Sequence, residues 1–204
     1  TLSPRRASWS TKPSKTSNMG HHTFDASGAE KLEDAANRYQ FLSAEELAWA
    51  LAPDADDAVA DLGSGTGFYT DEVAPRVGQV YAVDVQEEMH DHYREKGVPE
   101  NVDLVTSDVG DLPLDDDALD AAFSTMTYHE FATPAALDEL HRVLGRGGRL
   151  VIVDWAATGS GEHGPPVDER FSAREASEAL GEAGFEIDHE AVRPETFLLI
   201  ATAE

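Results

Sequence analysis

Cysteine is absent from the 204 residues, which excludes disulfides, thiolate metal sites and a cysteine nucleophile together. Lysine is nearly absent too, since Lys12, Lys15, Lys31 and Lys96 complete the set. With arginine they make 15 cations against 40 Asp and Glu, a formal charge of −25. A field of that sign repels the phosphate backbone of nucleic acid and the anionic face of a bilayer, so neither is expected as a partner. No stretch approaches the roughly 18 continuous apolar residues of a membrane-spanning helix. The expectation is a cytoplasmic protein with a small-molecule partner; its oligomeric state stays open. Carboxylates that remain hydrated where the Debye length falls to about 3 Å, near 1 M salt, give the composition a salt-adapted character.

The length suits one α/β domain with an N-terminal extension. Residues 1–18 hold Arg5, Arg6, Lys12 and Lys15 but no acid, and eight of the 18 are Ser or Thr. Such a segment is expected to be a disordered basic tail ahead of a domain at 19–204. From Thr23 to Leu51 the pattern is helical, with Ser43 and Glu46 spaced as a capping box, so residues 19–51 read as a helical N-terminal cap. Short runs then alternate with amphipathic stretches: Ala58–Leu62, Val80–Val83, Val102–Thr106, Leu119–Ser124 and Leu150–Val153 predict strands of a parallel sheet with crossover helices. A helix over Ala173–Glu182 precedes Glu186–Val192 and Thr196–Thr202, which lie too close together to pair other than as an antiparallel hairpin.

The most informative run is Val59-Ala-Asp-Leu-Gly-Ser-Gly-Thr-Gly-Phe68. A strand leads into three glycines at alternate positions, Gly63, Gly65 and Gly67, where a backbone can turn tightly and approach a ligand. Gly65 is the position expected to block a ligand if enlarged. The spacing departs from the G-x-G-x-x-G of dinucleotide sites, which weakens a nicotinamide reading. The next strand ends in Asp84, 17 residues after Gly67, at the edge where a carboxylate can accept both ribose hydroxyls. The third ends at Asp108, placed to accept an exocyclic amine while the Val109 amide faces the ring. Neither His21-His22 with Asp25 nor the pair His90 and His92 has the spacing of a metal site, and no metal is expected.

Together DLGSGTG, VDVQEEM, TSDVGDLPLDDDALDAAF and LHRVLGRGGRLVIVDW resemble the successive motifs of the class I S-adenosylmethionine-dependent methyltransferases. The resemblance implies an α/β fold, a Rossmann-like doubly wound sheet of seven strands with the last antiparallel and helices on both faces. It implies S-adenosylmethionine as cofactor, with Asp61, Gly63, Ser64, Gly65 and Gly67 around its methionine part. It also implies Asp84 on the ribose, Val85 and Met89 flanking the adenine, and Asp108 with Val109 at the adenine edge. The segment after the fourth strand, Phe123–Phe131, borders the methyl group in this fold. His129 is the candidate catalytic base there, with Tyr128 and Glu130 nearby. Tyr39, Phe41, Tyr128 and Trp155 are candidates for the substrate pocket. The expected activity is methyl transfer to a small molecule. A non-catalytic cofactor sensor of the same fold is the alternative, and a nicotinamide-dependent oxidoreductase a weaker one.

Overall fold

The computed structural model describes residues 26–204, so the basic tail and the His21-His22 pair lie outside the described residues. Seven strands form one sheet: β1 (Ala58–Leu62), β2 (Gln79–Asp84), β3 (Val102–Thr106), β4 (Leu119–Thr125), β5 (Leu144–Trp155), β6 (Phe185–Val192) and β7 (Thr196–Ala203). Their spatial order is β3-β2-β1-β4-β5-β7-β6. The first five run parallel, and β7 inserts antiparallel between β5 and β6. The fold class expected from the sequence is the one observed.

The helices are α1 (Ala35–Tyr39), α2 (Ala44–Leu51), α3 (Phe68–Val73), α4 (Glu87–Lys96), α5 (Tyr128–Phe131), α6 (Pro134–Val143) and α7 (Ala173–Glu182). Period-two alternation along the strands divides the core into two layers. Val59, Val80, Phe123, Val151 and Ile200 face Leu47 and Leu51 of α2, Tyr69 and Val73 of α3, and Tyr93 of α4. Ala60, Leu62, Ala122, Ile152 and Leu199 face Leu137 and Leu140 of α6 and Ala176 and Leu180 of α7. Strands buried on both sides read as continuous apolar runs, which is why their positions were legible.

The N-terminal cap is helical in short pieces. It is broken into a 3-10 helix at Ala26–Glu33 followed by α1 and α2. The breaks are built by side chains that restart the backbone: Asp34 accepts from the Ala36 and Asn37 amides, and Ser43 from the Glu46 amide. Glu46 does not complete a capping box, because its carboxylate holds Arg193 at 2.8 Å, tying α2 to the β6–β7 turn. The reciprocal box forms instead at Ser172 and Glu175, opening α7. β5 also begins six residues earlier than expected, since Gly145-Arg-Gly-Gly148 reads as a turn. Leu144 nevertheless pairs with Leu119, and the register shifts before Ala121 meets Arg149.

Candidate functional site

The strand order reverses between β1 and β4, the place where doubly wound sheets hold ligands at their carboxyl ends. A cavity of about 760 Å³ opens there, inside the roughly 300–1,000 Å³ range of ligand pockets. Along the sheet edge its lining runs from Asp108 and Val109 after β3, through Asp84, Val85 and Met89 after β2, to Gly63, Ser64 and Gly65 after β1. It continues through Met126, His129 and Glu130 after β4 to Trp155 at the end of β5, with Leu32, Arg38 and Phe41 of the N-terminal cap above.

Asp84 organises the loop after β1. One of its oxygens accepts the Gly65 amide at 2.8 Å and the other the Gln86 amide at 2.9 Å, leaving each carboxylate oxygen a further lone pair. Asp108 accepts the Gly110 amide at 2.7 Å, which fixes its turn. Gly63, Gly65 and Gly67 all have positive φ, but their surroundings differ. A Cβ on Gly63 would stand 2.3 Å from the Thr127 side chain, and one on Gly67 would stand 2.2 Å from the Tyr93 ring. At Gly65 the nearest atom is Leu32 Cδ1 at 3.4 Å, so the tightest packing is at the two outer glycines.

Three of the polar groups near this loop keep a buried atom without a hydrogen-bond partner: Asp61 Oδ1, Ser64 Oγ and Arg38 Nε. Arg38 lies over the Tyr69 ring at 4.7 Å, and burial draws its pKa below the usual arginine value against the pull of Tyr69, Asp61 and Glu33. Asp61 is 1% exposed and accepts the Thr70 hydroxyl at 2.6 Å. Burial pushes its carboxyl up to about 7, opposed by the Thr70 hydrogen bond and the Arg38 charge.

At the other end, Nδ1 of His129 is 3.0 Å from Asp154 Oδ2, and the same carboxylate oxygen accepts the His129 amide at 2.7 Å. Asp154 is fully buried. Burial alone would disfavour the imidazolium, but the hydrogen bond and charge of Asp154, helped by Glu130 and Glu169, outweigh it and raise the His129 pKa above its ordinary value. With Nδ1 facing the carboxylate, that nitrogen carries the proton and Nε2 is left as the acceptor.

Several expected site residues lie elsewhere. Tyr128 and His129 are consecutive on a single helical turn, so they point about 100° apart. Tyr128 turns into the core against Phe131, Phe171 and Phe197, fully buried and outside the cavity lining. Tyr39 is also outside it, its ring tilted against Phe68 at 5.3 Å and its hydroxyl donating to Glu72 of α3. Asp61 sits behind the loop with Thr70, and Gly67 caps α3 against Tyr93 instead of lining the space. Phe41 and Trp155 do line it, edge to face at 4.8 Å.

Residues 60–152 match the methyltransferase domain family. A solved S-adenosylmethionine-dependent methyltransferase from Aquifex aeolicus superposes with a TM-score of 0.81 at 31% identity, over 89% of this chain and 100% of that one. The chain belongs to the S-adenosylmethionine-dependent methyltransferases. An uncharacterized methyltransferase of Mycobacterium tuberculosis is 34% identical over 157 residues, and a demethylmenaquinone methyltransferase of Clavibacter sepedonicus 32% over 155. These matches cover 76% and 75% of this chain but 59% and 56% of those proteins.

Sequence reasoning missed Asp154, Arg38 and Glu169 of this methyltransferase. Asp154 carried a usable signal, since it is an acid near the carboxyl end of a strand in Val151-Ile-Val-Asp-Trp155, like Asp84. Arg38 carried none, because its position over the glycine loop depends on how the N-terminal cap breaks.

Proposed function

We propose that this methyltransferase domain transfers a methyl group from S-adenosylmethionine to a small-molecule acceptor. The observation that carries the reading is the continuity of one cavity, from the acids at the ends of β2 and β3 to the His129–Asp154 pair. A sensor needs only the first part of that space, so the second favours an enzyme over a binding module.

The residues present fit the cofactor. Asp84 has lone pairs for two ribose hydroxyls, Val85, Met89 and Val109 offer apolar contact to adenine, and Asp108 can accept its amine. The unpartnered atoms of Ser64 and Arg38 suit the amino-acid end, the guanidinium matching a carboxylate. The bound cofactor supplies an electrophilic methyl group on a sulfonium. The chain's part is to orient the acceptor, exclude water and take a proton where the acceptor carries one. Calorimetric titration in molar salt with S-adenosylmethionine and S-adenosylhomocysteine tests the reading. Micromolar binding of both is expected; a folded protein that binds neither overturns it.

The surface supports a cytoplasmic, salt-adapted setting. The formal charge is −25, and among the described residues no helix is long and apolar enough to cross a membrane. Because repulsion among carboxylates lengthens in range as salt is removed, the thermal midpoint is expected to fall on dilution from molar salt to low-salt buffer. An unchanged midpoint would count against salt adaptation.

A further inference from the structure

We propose that the acceptor is a neutral aromatic hydroxyl compound, held against Phe41 and Trp155 with its hydroxyl on Nε2 of His129, and that Asp154 positions that imidazole. The inference rests on the methyl-transfer reading above and names the substrate class of the same site.

The wall of this half of the cavity is aromatic. Phe41 meets Trp155 at 4.8 Å and His163 at 5.3 Å, both edge to face. Trp155 is held in place: Gly164 passes so close that a Cβ there would stand 2.5 Å from the indole, and Arg170 lies 5.6 Å from the ring centroid. The Arg170 guanidinium is spent on the carbonyls of Pro165, Ala156 and His163, so this cation braces the loop and addresses no ligand. An aromatic ring is the partner such a wall favours, packed edge to face or offset on these side chains.

Charge narrows the class further. The groups facing His129 are Asp154 from β5, Glu130 from α5 and Glu169 from the 3-10 turn at Val167–Glu169, with His163 on the facing loop. Among the described residues, the Lys and Arg side chains that line the cavity are Lys31 and Arg38, both on the N-terminal cap. Leu32, next to Lys31, packs over Gly65, and Arg38 lies 5.5 Å from the Phe68 ring centroid, so both cations stand beside the glycine loop. A carboxylate or phosphate acceptor would therefore meet like charge. A protonated amine would be attracted but arrives without a lone pair, and passing its proton to His129 only relocates a positive charge. A neutral hydroxyl gains most, because its proton creates an imidazolium that Asp154, Glu130 and Glu169 all stabilise.

The step balances. The acceptor O–H bond breaks and its proton passes to Nε2 of His129. The oxygen lone pair forms the new O–CH3 bond as the S–CH3 bond of S-adenosylmethionine breaks. That bond's electron pair returns to sulfur, giving neutral S-adenosylhomocysteine, and the imidazolium then releases its proton to water.

The test uses the protein saturated with S-adenosylhomocysteine and three probes of one ring system: 2-naphthol, 2-naphthoate and protonated 2-naphthylmethylamine. Naphthol is expected to bind at least tenfold more tightly than either charged probe, and with S-adenosylmethionine present to yield 2-methoxynaphthalene. His129→Gln is expected to abolish that product while leaving S-adenosylhomocysteine affinity within twofold. For Asp154, the readout is the NMR titration of His129: Asp154→Asn removes the partner that favours the imidazolium, so the midpoint moves to lower pH, and the pH profile of turnover moves with it. Preference for a charged probe, binding of none of the three, or a His129 titration unmoved by Asp154→Asn overturns the proposal. If S-adenosylhomocysteine itself fails to bind, the methyl-transfer reading falls and takes this one with it.

Discussion

Asp84→Ala is expected to raise the dissociation constant for S-adenosylhomocysteine about 5- to 150-fold, the equivalent of 1–3 kcal/mol. Two losses combine. The carboxylate faces the cavity from the last residue of β2, so the ribose hydroxyls lose a charged acceptor. The amides of Gly65 and Gln86, now bonded to its two oxygens, lose their partners and with them the definition of the loop. Asp84→Asn separates the two contributions, because its amide oxygen can still accept one backbone N–H while the charge is gone; an intermediate affinity is expected. Calorimetry on both variants, with circular dichroism to establish folding, decides it. Wild-type affinity in a folded Asp84→Ala protein would remove this residue from the ribose role.

Gly67→Ala is expected to destabilise the fold by about 3 kcal/mol, combining a left-handed backbone with overpacking. Its φ is +80°, and its new methyl would stand 2.2 Å from the Tyr93 ring. That ring cannot swing aside cheaply, since Tyr93 is fully buried and its hydroxyl donates to Asp71 at 2.6 Å. Gly65→Ala is the control. Its φ of +54° lies in the small left-handed region open to L residues, and its nearest neighbour is a flexible leucine methyl at 3.4 Å. That variant is expected to cost about 1 kcal/mol of stability and to report mainly through cofactor affinity. Urea unfolding midpoints measured in molar salt give the comparison, and equal midpoints would refute the steric account.

The glycines show what a sequence conveys about a site and what it withholds. Their spacing after an apolar strand marked the loop, and Asp84 and Asp108 were found because acids at the carboxyl ends of parallel strands have a fixed place in this topology. Which glycine is indispensable depends on Thr127 at Gly63 and Tyr93 at Gly67, brought in from 64 and 26 residues away in the chain, and no local pattern carries that. Tyr128 and His129 failed to be told apart for a similar reason, because a single turn of helix has too few residues to reveal which face is apolar. In the N-terminal cap the spacing of Ser43 and Glu46 marked the start of α2, whereas the cap at Asp34 interrupts a composition that favours helix and went unread. β5 was underestimated because glycines that look like a turn are tolerated in a strand at a register shift.

The position of β7 also bears on how the polypeptide acquires its structure during synthesis. β6 is made first, yet its ladder partner is β7, and β7 is what joins it to β5. Until Thr196–Ala203 has left the ribosome, β6 has no strand to pair with and β5 presents an unpaired edge. All but one of the residues in β7 are buried, so the apolar layers on both faces of the sheet stay open for the same interval. The growing chain therefore passes through a stage with exposed edge and core, a state prone to pairing with other chains. Closure comes as one late event in which a single strand fills its slot between two others.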